Sequence, residues 1–86
     1  MNDSFLLDKI AGSLKRICEE HNLHKIKEVV VEVSYNSRIE ETGLHKHLVQ
    51  SIPELVDGCT IIAVKKTSIL EQTAVIYMLK GGSAES

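Results

Sequence analysis

The chain has 86 residues, 43% hydrophobic and 26% charged, which is the size and composition of one small folded domain. Ten basic against twelve acidic residues leave a formal net charge of −2, which argues against a dedicated nucleic-acid binder with a basic face. Two cysteines are too few for a disulfide framework, and no apolar run approaches the roughly 20 residues of a membrane span.

The start, MNDSFLL, shows neither the basic n-region nor the long apolar h-region of a signal peptide. The expectation is a cytoplasmic protein with reduced thiols. Aromatic residues are 3%, so the core is expected to be built from Leu, Ile and Val. The basic pairs Lys15-Arg16 and Lys65-Lys66 read as solvated surface.

The first element is a helix from about Ser4 to about His21. Asn2, Asp3 and Ser4 are good N-cap types, and Phe5 opens an apolar series. Leu6, Ile10, Leu14, Ile17 and His21 follow at helical spacing, with Leu7 and Cys18 beside the stripe. Gly12 interrupts it at a cost of about 1 kcal/mol relative to Ala.

The period then changes to two. From Ile26 to Tyr35 the chain is β-branched and alternating, which predicts a strand. Val29, Val31, Val33 and Tyr35 share one face. Glu28, Glu32 and Ser34 share the other, with Val30 among them.

Asn36-Ser37-Arg38 reads as a loop. Ile39, Leu44, Leu48 and Ile52 predict a second helix from about Glu40 to Ser51, stopped by Pro53. After the Asp57-Gly58 turn, Thr60 to Lys66 and Thr73 to Leu79 predict two more strands. The strand–helix–strand portion is expected to be a right-handed parallel crossover, and the last two strands an antiparallel hairpin. Residues 81–86, GGSAES, are expected to form a flexible polar tail.

The fold class is therefore α/β (α+β): a single domain over residues 1–80, order α-β-α-β-β. A three-stranded mixed sheet carries two helices on one face. The last two strands are apolar at both parities, Ile61 and Ala63 against Ile62 and Val64, then Val75 and Tyr77 against Ala74, Ile76 and Met78. Helices on one face cannot cover both. Irregular packing explains this, and so does a self-association or partner surface, such as that of a homodimer.

The chemistry-bearing residues are few. Cys18, His21 and His24 in CEEHNLH fall at metal-like spacing, but offer at most three ligands, and Cys18 belongs to the apolar stripe. His45 and His47, at i and i+2, do not share a helix face, so one is expected to pack and the other to be solvated. Cys59 opens a strand with nothing to activate it. There is no CxxC, GxxxxGK[ST] or GxGxxG. These residues point to a module that is not an enzyme.

The order of elements, the segment HKIKEVVVEV (His24 to Val33) and Asp57-Gly58-Cys59-Thr60-Ile61-Ile62 resemble the hydrogenase nickel-incorporation accessory proteins, the HypA/HybF family. The resemblance covers roughly residues 1 to 79. It implies a nickel metallochaperone domain acting with a GTPase partner in hydrogenase or urease maturation. Its metal site would fall on Met1, Asn2 and Asp3.

Family members carry His and Glu where this chain has Asn2 and Asp3, and imidazole is the natural nickel ligand. They insert a zinc domain where this chain has only Ser68 to Gln72. Of the family's G-E-x-S turn, Ser34-Tyr35-Asn36-Ser37 keeps the last serine. The expectation is an accessory or regulatory domain acting by protein–protein contact, its metal chemistry lost, with no cofactor. The alternative is a weak nickel carrier using the N-terminal amine, Asn2 and Asp3. A small enzyme comes third.

Overall fold

The apolar spacing of the first segment produces helix α1, Ser4–Glu20. The computed structural model describes residues 3–83. Leu6, Ile10, Leu14 and Cys18, each four residues apart, are all at most 2% exposed. The buried stripe turns onto Cys18, so Ile17 is half-buried and His21 exposed, where the sequence placed both in line. Phe5 also points outward, 63% exposed. Asn22 ends the helix in the left-handed region, φ 56°, which a short polar side chain tolerates.

Strand β1, Leu23–Ser34, follows at once. Val29, Val31 and Val33 are fully buried, as their alternation requires. Tyr35 lies beyond the strand and is exposed, while Ser34 is buried, the reverse of the expected faces. The loop that follows covers Ser34: the backbone N–H of Asn36 donates to Ser34 Oγ.

Helix α2, Glu41–Ser51, buries Leu44 and Leu48. Strands β2, Ile61–Thr67, and β3, Ala74–Ser83, complete the order α-β-α-β-β. This is a small α+β domain with a three-stranded mixed sheet. Both helices contribute to one core with Val29, Val31 and Val33.

The expected β2–β3 hairpin does not form. The sheet order is β2-β1-β3, with β1 parallel to β2 and antiparallel to β3. The six residues from Ser68 to Thr73 exceed a tight hairpin loop and lead β3 past the end of β1. The reason lies in β1, the longest strand, whose Val29, Val31 and Val33 are fully buried where it stands at the centre of the sheet.

The expected tail is also corrected, because β3 runs through Gly81 and Gly82 to Ser83. A Cβ on Gly81 would stand 2.7 Å from the Lys25 carbonyl oxygen, so glycine is what allows the strand to pair there. Residues 84–86 of that tail lie outside the described residues.

Among the described residues no helix is long and apolar enough to cross a membrane.

Candidate functional site

Met1 and Asn2, two of the three residues to which the resemblance assigns nickel, lie outside the described residues. Asp3 occupies the N-cap of α1, but its carboxylate makes no capping hydrogen bond. Instead Asp3 Oδ2 accepts from the backbone N–H of Arg38 at 2.8 Å and from Ser37 Oγ at 3.4 Å. Ser37 Oγ in turn accepts from the N–H of Ile39 at 3.1 Å. Lys66 Nζ donates to the Ser37 carbonyl, and Asn36 Nδ2 donates to Glu71 Oε1 at 3.0 Å.

The helix start, the β1–α2 loop and the β2–β3 link are thus tied together at the carboxyl ends of the parallel strands. Ligands bind at such ends in many α/β sheets. Here the cleft lined by Asp3, Ser34, Asn36, Ser37, Arg38, Glu71 and Gln72 measures about 180 Å³. That is below the roughly 300 Å³ at which small-molecule sites begin. The Asp3 carboxylate serves as a fastener, and a metal drawing on it would compete with the loop it holds.

The other polar candidates do not assemble into a site. Cys18 is buried, and burial pushes its thiol pKa up, away from reactive thiolate. His21 and His24 are exposed and do not converge with it. Among the described residues, no group of three or more His, Cys, Asp and Glu could hold a metal ion.

His45 and His47 are both half-buried, and neither is simply solvated, which corrects the expectation. His45 Nε2 lies 2.8 Å from the Asp57 carbonyl oxygen, so it carries the proton and donates. That leaves it no acceptor at Nε2 for service as a base. His47 Nε2 lies 3.0 Å from Asp8 Oδ1, in ion-pair range between the helices but without hydrogen-bond alignment.

The Asp57 turn closes the other end of the domain. The Cys59 N–H donates to Asp57 Oδ1 at 2.8 Å, and Lys25 Nζ lies 3.1 Å from Asp57 Oδ2. These two contacts hold the Asp57 carboxyl below the usual carboxylate range, the Cys59 N–H foremost. Thr60 Oγ1 accepts from the Asp57 N–H and donates to the Ile26 carbonyl. Cys59 is an exposed free thiol.

No family model, curated protein or solved structure matches this chain.

What remains uncommitted is the sheet face away from the helices. Cross-strand register sets three rows there: Ile61, Glu28 and Lys80; Ala63, Val30 and Met78; Lys65, Glu32 and Val75. Tyr77 stands beside them at a bulge of β3. None of these apolar residues packs against the core, unlike Ile62, Val64, Ala74, Ile76 and Leu79 of the same strands. Ile61 is 60% exposed, Val75 42% and Tyr77 63%.

Lys80 Nζ lies 3.8 Å from Glu28 Oε1, and Lys65 Nζ sits 4.9 Å from the centre of the Tyr77 ring. Lys65 belongs to β2 and Tyr77 to β3, so the lysine reaches across β1. The apolar residues at both parities of β2 and β3 foreshadowed this face. Its acidic centre line was not foreseen, because it follows from the position of β1 between them.

Proposed function

We propose that the chain is a HypA-like accessory or regulatory module that works by protein contact in the maturation of a metalloenzyme of the hydrogenase or urease kind. It does no catalysis of its own. The observation that supports this is the uncovered face with Ile61, Val75 and Tyr77 open to solvent. Apolar side chains grouped on one sheet face are the ordinary mark of a protein-binding surface, since layered domains cover such faces with a further element.

The family part of the proposal rests on the resemblance of element order and of His24 to Val33. The tied carboxylate of Asp3 supports a structural role for that residue.

The test is direct binding of the purified full chain to two purified proteins, a nickel-maturation GTPase and a hydrogenase precursor subunit. Association tighter than about 100 μM with either is expected, the range of transient regulatory contacts. Absence of binding to both at that concentration would overturn the assignment.

A further inference from the structure

The uncovered face has a charge pattern that selects its occupant. Its middle column, on β1, reads Glu28, Val30, Glu32. The flanking lysines are already engaged, Lys80 by Glu28 and Lys65 by the Tyr77 ring. Glu32 is half-buried, with Val75 opposite it on β3 and Lys65 opposite it on β2, and it makes no hydrogen bond or ion pair with any described residue. A half-buried carboxylate without a partner favours a cation that arrives with the docking surface.

A second copy of this chain is a poor match. Two sheets packing face to face align their strands within about 30°. A stack centred on β1 brings the Glu28–Val30–Glu32 column of one copy over the same column of the other. Like charges would meet at the centre of the interface, where they cost most.

The dimensions fit a single helix. The outer strands lie about 10 Å apart across β1, and a helix with its side chains is about 10–12 Å wide. The three rows span about 13 Å of strand, or two and a half turns of helix.

We infer that this face docks one amphipathic helix of a partner protein. The helix lays an apolar i, i+3, i+4, i+7 stripe over Ile61, Val30, Val75 and Tyr77 and directs a Lys or Arg at Glu32. The inference rests on the protein-contact reading above and adds the site, the element and the charge of the partner.

The probe is a display library of helical peptides about four turns long, selected on the full chain. Selected binders are expected to pair an apolar stripe with one basic residue, and their amide chemical-shift changes should fall on the three strands. Glu32→Lys should weaken them about tenfold or more, and Ile61→Glu by a similar factor. Ile61 is exposed, Glu32 is half-buried on the uncovered face, and neither belongs to the core, so the fold tolerates both changes.

Binders that contact the helices would overturn the inference. So would binders indifferent to Glu32→Lys, or a wild-type dimer in sedimentation that Ile61→Glu dissolves. The same two variants separate this inference from the assignment. Maturation proteins that bind both variants as tightly as wild type sink the docking face and leave the accessory role standing. Peptides that bind the face, while neither maturation protein binds the chain, sink the assignment and leave the docking face.

Discussion

One substitution, glycine to alanine, is expected to act with opposite sign at two places. Gly12 lies mid-helix in α1, is exposed, and a Cβ added there meets nothing within 4 Å. Alanine at an open interior helical position gains about 0.8–1 kcal/mol, because glycine loses more chain entropy on folding. Gly81 lies in β3, where an added Cβ would stand 2.7 Å from the Lys25 carbonyl oxygen and 3.0 Å from Leu23 Cδ1.

The Leu23 methyl can rotate away, but the Lys25 carbonyl belongs to the paired strand and can move only with its backbone. A forced shift of this kind costs about 1–3 kcal/mol. Urea denaturation reads both variants. With a slope of about 1 kcal/mol/M, the midpoint should rise by about 1 M for Gly12→Ala and fall by about 1–3 M for Gly81→Ala. An unchanged or raised midpoint for Gly81→Ala would show residues 81–83 to be the loose tail that their composition suggests, and would refute the extended strand.

Four further outcomes follow from the tied loops. Thr60→Val removes the hydroxyl that joins the Asp57 N–H to the Ile26 carbonyl and should cost about 1–2 kcal/mol in the same denaturation assay, while Thr60→Ser keeps most of it; a Val variant as stable as wild type refutes the bridge. Asp57 has a lowered folded pKa, so its contribution to stability is complete above the unfolded value of 3.8 and disappears as pH falls through the folded value. Asp57→Asn should therefore narrow its stability gap to wild type as pH drops below 3.8 in acid titrations followed by circular dichroism, and a constant gap counts against the contact. Iodoacetamide should label the exposed Cys59 in native protein and reach the buried Cys18 only after unfolding; equal rates would contradict that burial. Calorimetric titration of Ni²⁺ into protein with a native N-terminus should show no micromolar site; such a site, lost on N-terminal extension, would establish the nickel carrier instead.

Periodicity made the elements legible. The valines at 29, 31 and 33 and the leucines at 44 and 48 give away their faces by spacing alone, and they are the most buried residues of their elements. Strand pairing was harder to read because it is non-local. Nothing within Ser68 to Thr73 says that β3 passes to the far side of β1; that depends on which strand profits most from two neighbours. The pair Gly81-Gly82 misleads for a local reason. Glycine marks both loose chain and close backbone approach, and only the position of Lys25 distinguishes the two.

The site was legible in a different way. Residue types suggested a metal at Cys18, His21 and His24, and the family resemblance suggested one at Met1, Asn2 and Asp3, but neither reveals what each side chain already holds. The described polar groups with chemical capacity sit mostly at the two ends of the sheet. At the carboxyl end of β1 and β2, Asp3, Ser37, Asn36 and Glu71 secure one loop to another. At the opposite end, His45, Asp57, Lys25 and Thr60 close the chain between α2 and β2.

A small domain has little core with which to hold its loops, so such groups are drawn into structure. The β2 edge is treated likewise, Glu41 Oε2 accepting from the Val64 N–H at 3.1 Å. Glu32 has no such employment among the described residues, and it stands on the central strand of an apolar surface that the helices leave open. The functional question therefore moves from the ends of the domain, where the sequence directs attention, to the broad side of its sheet.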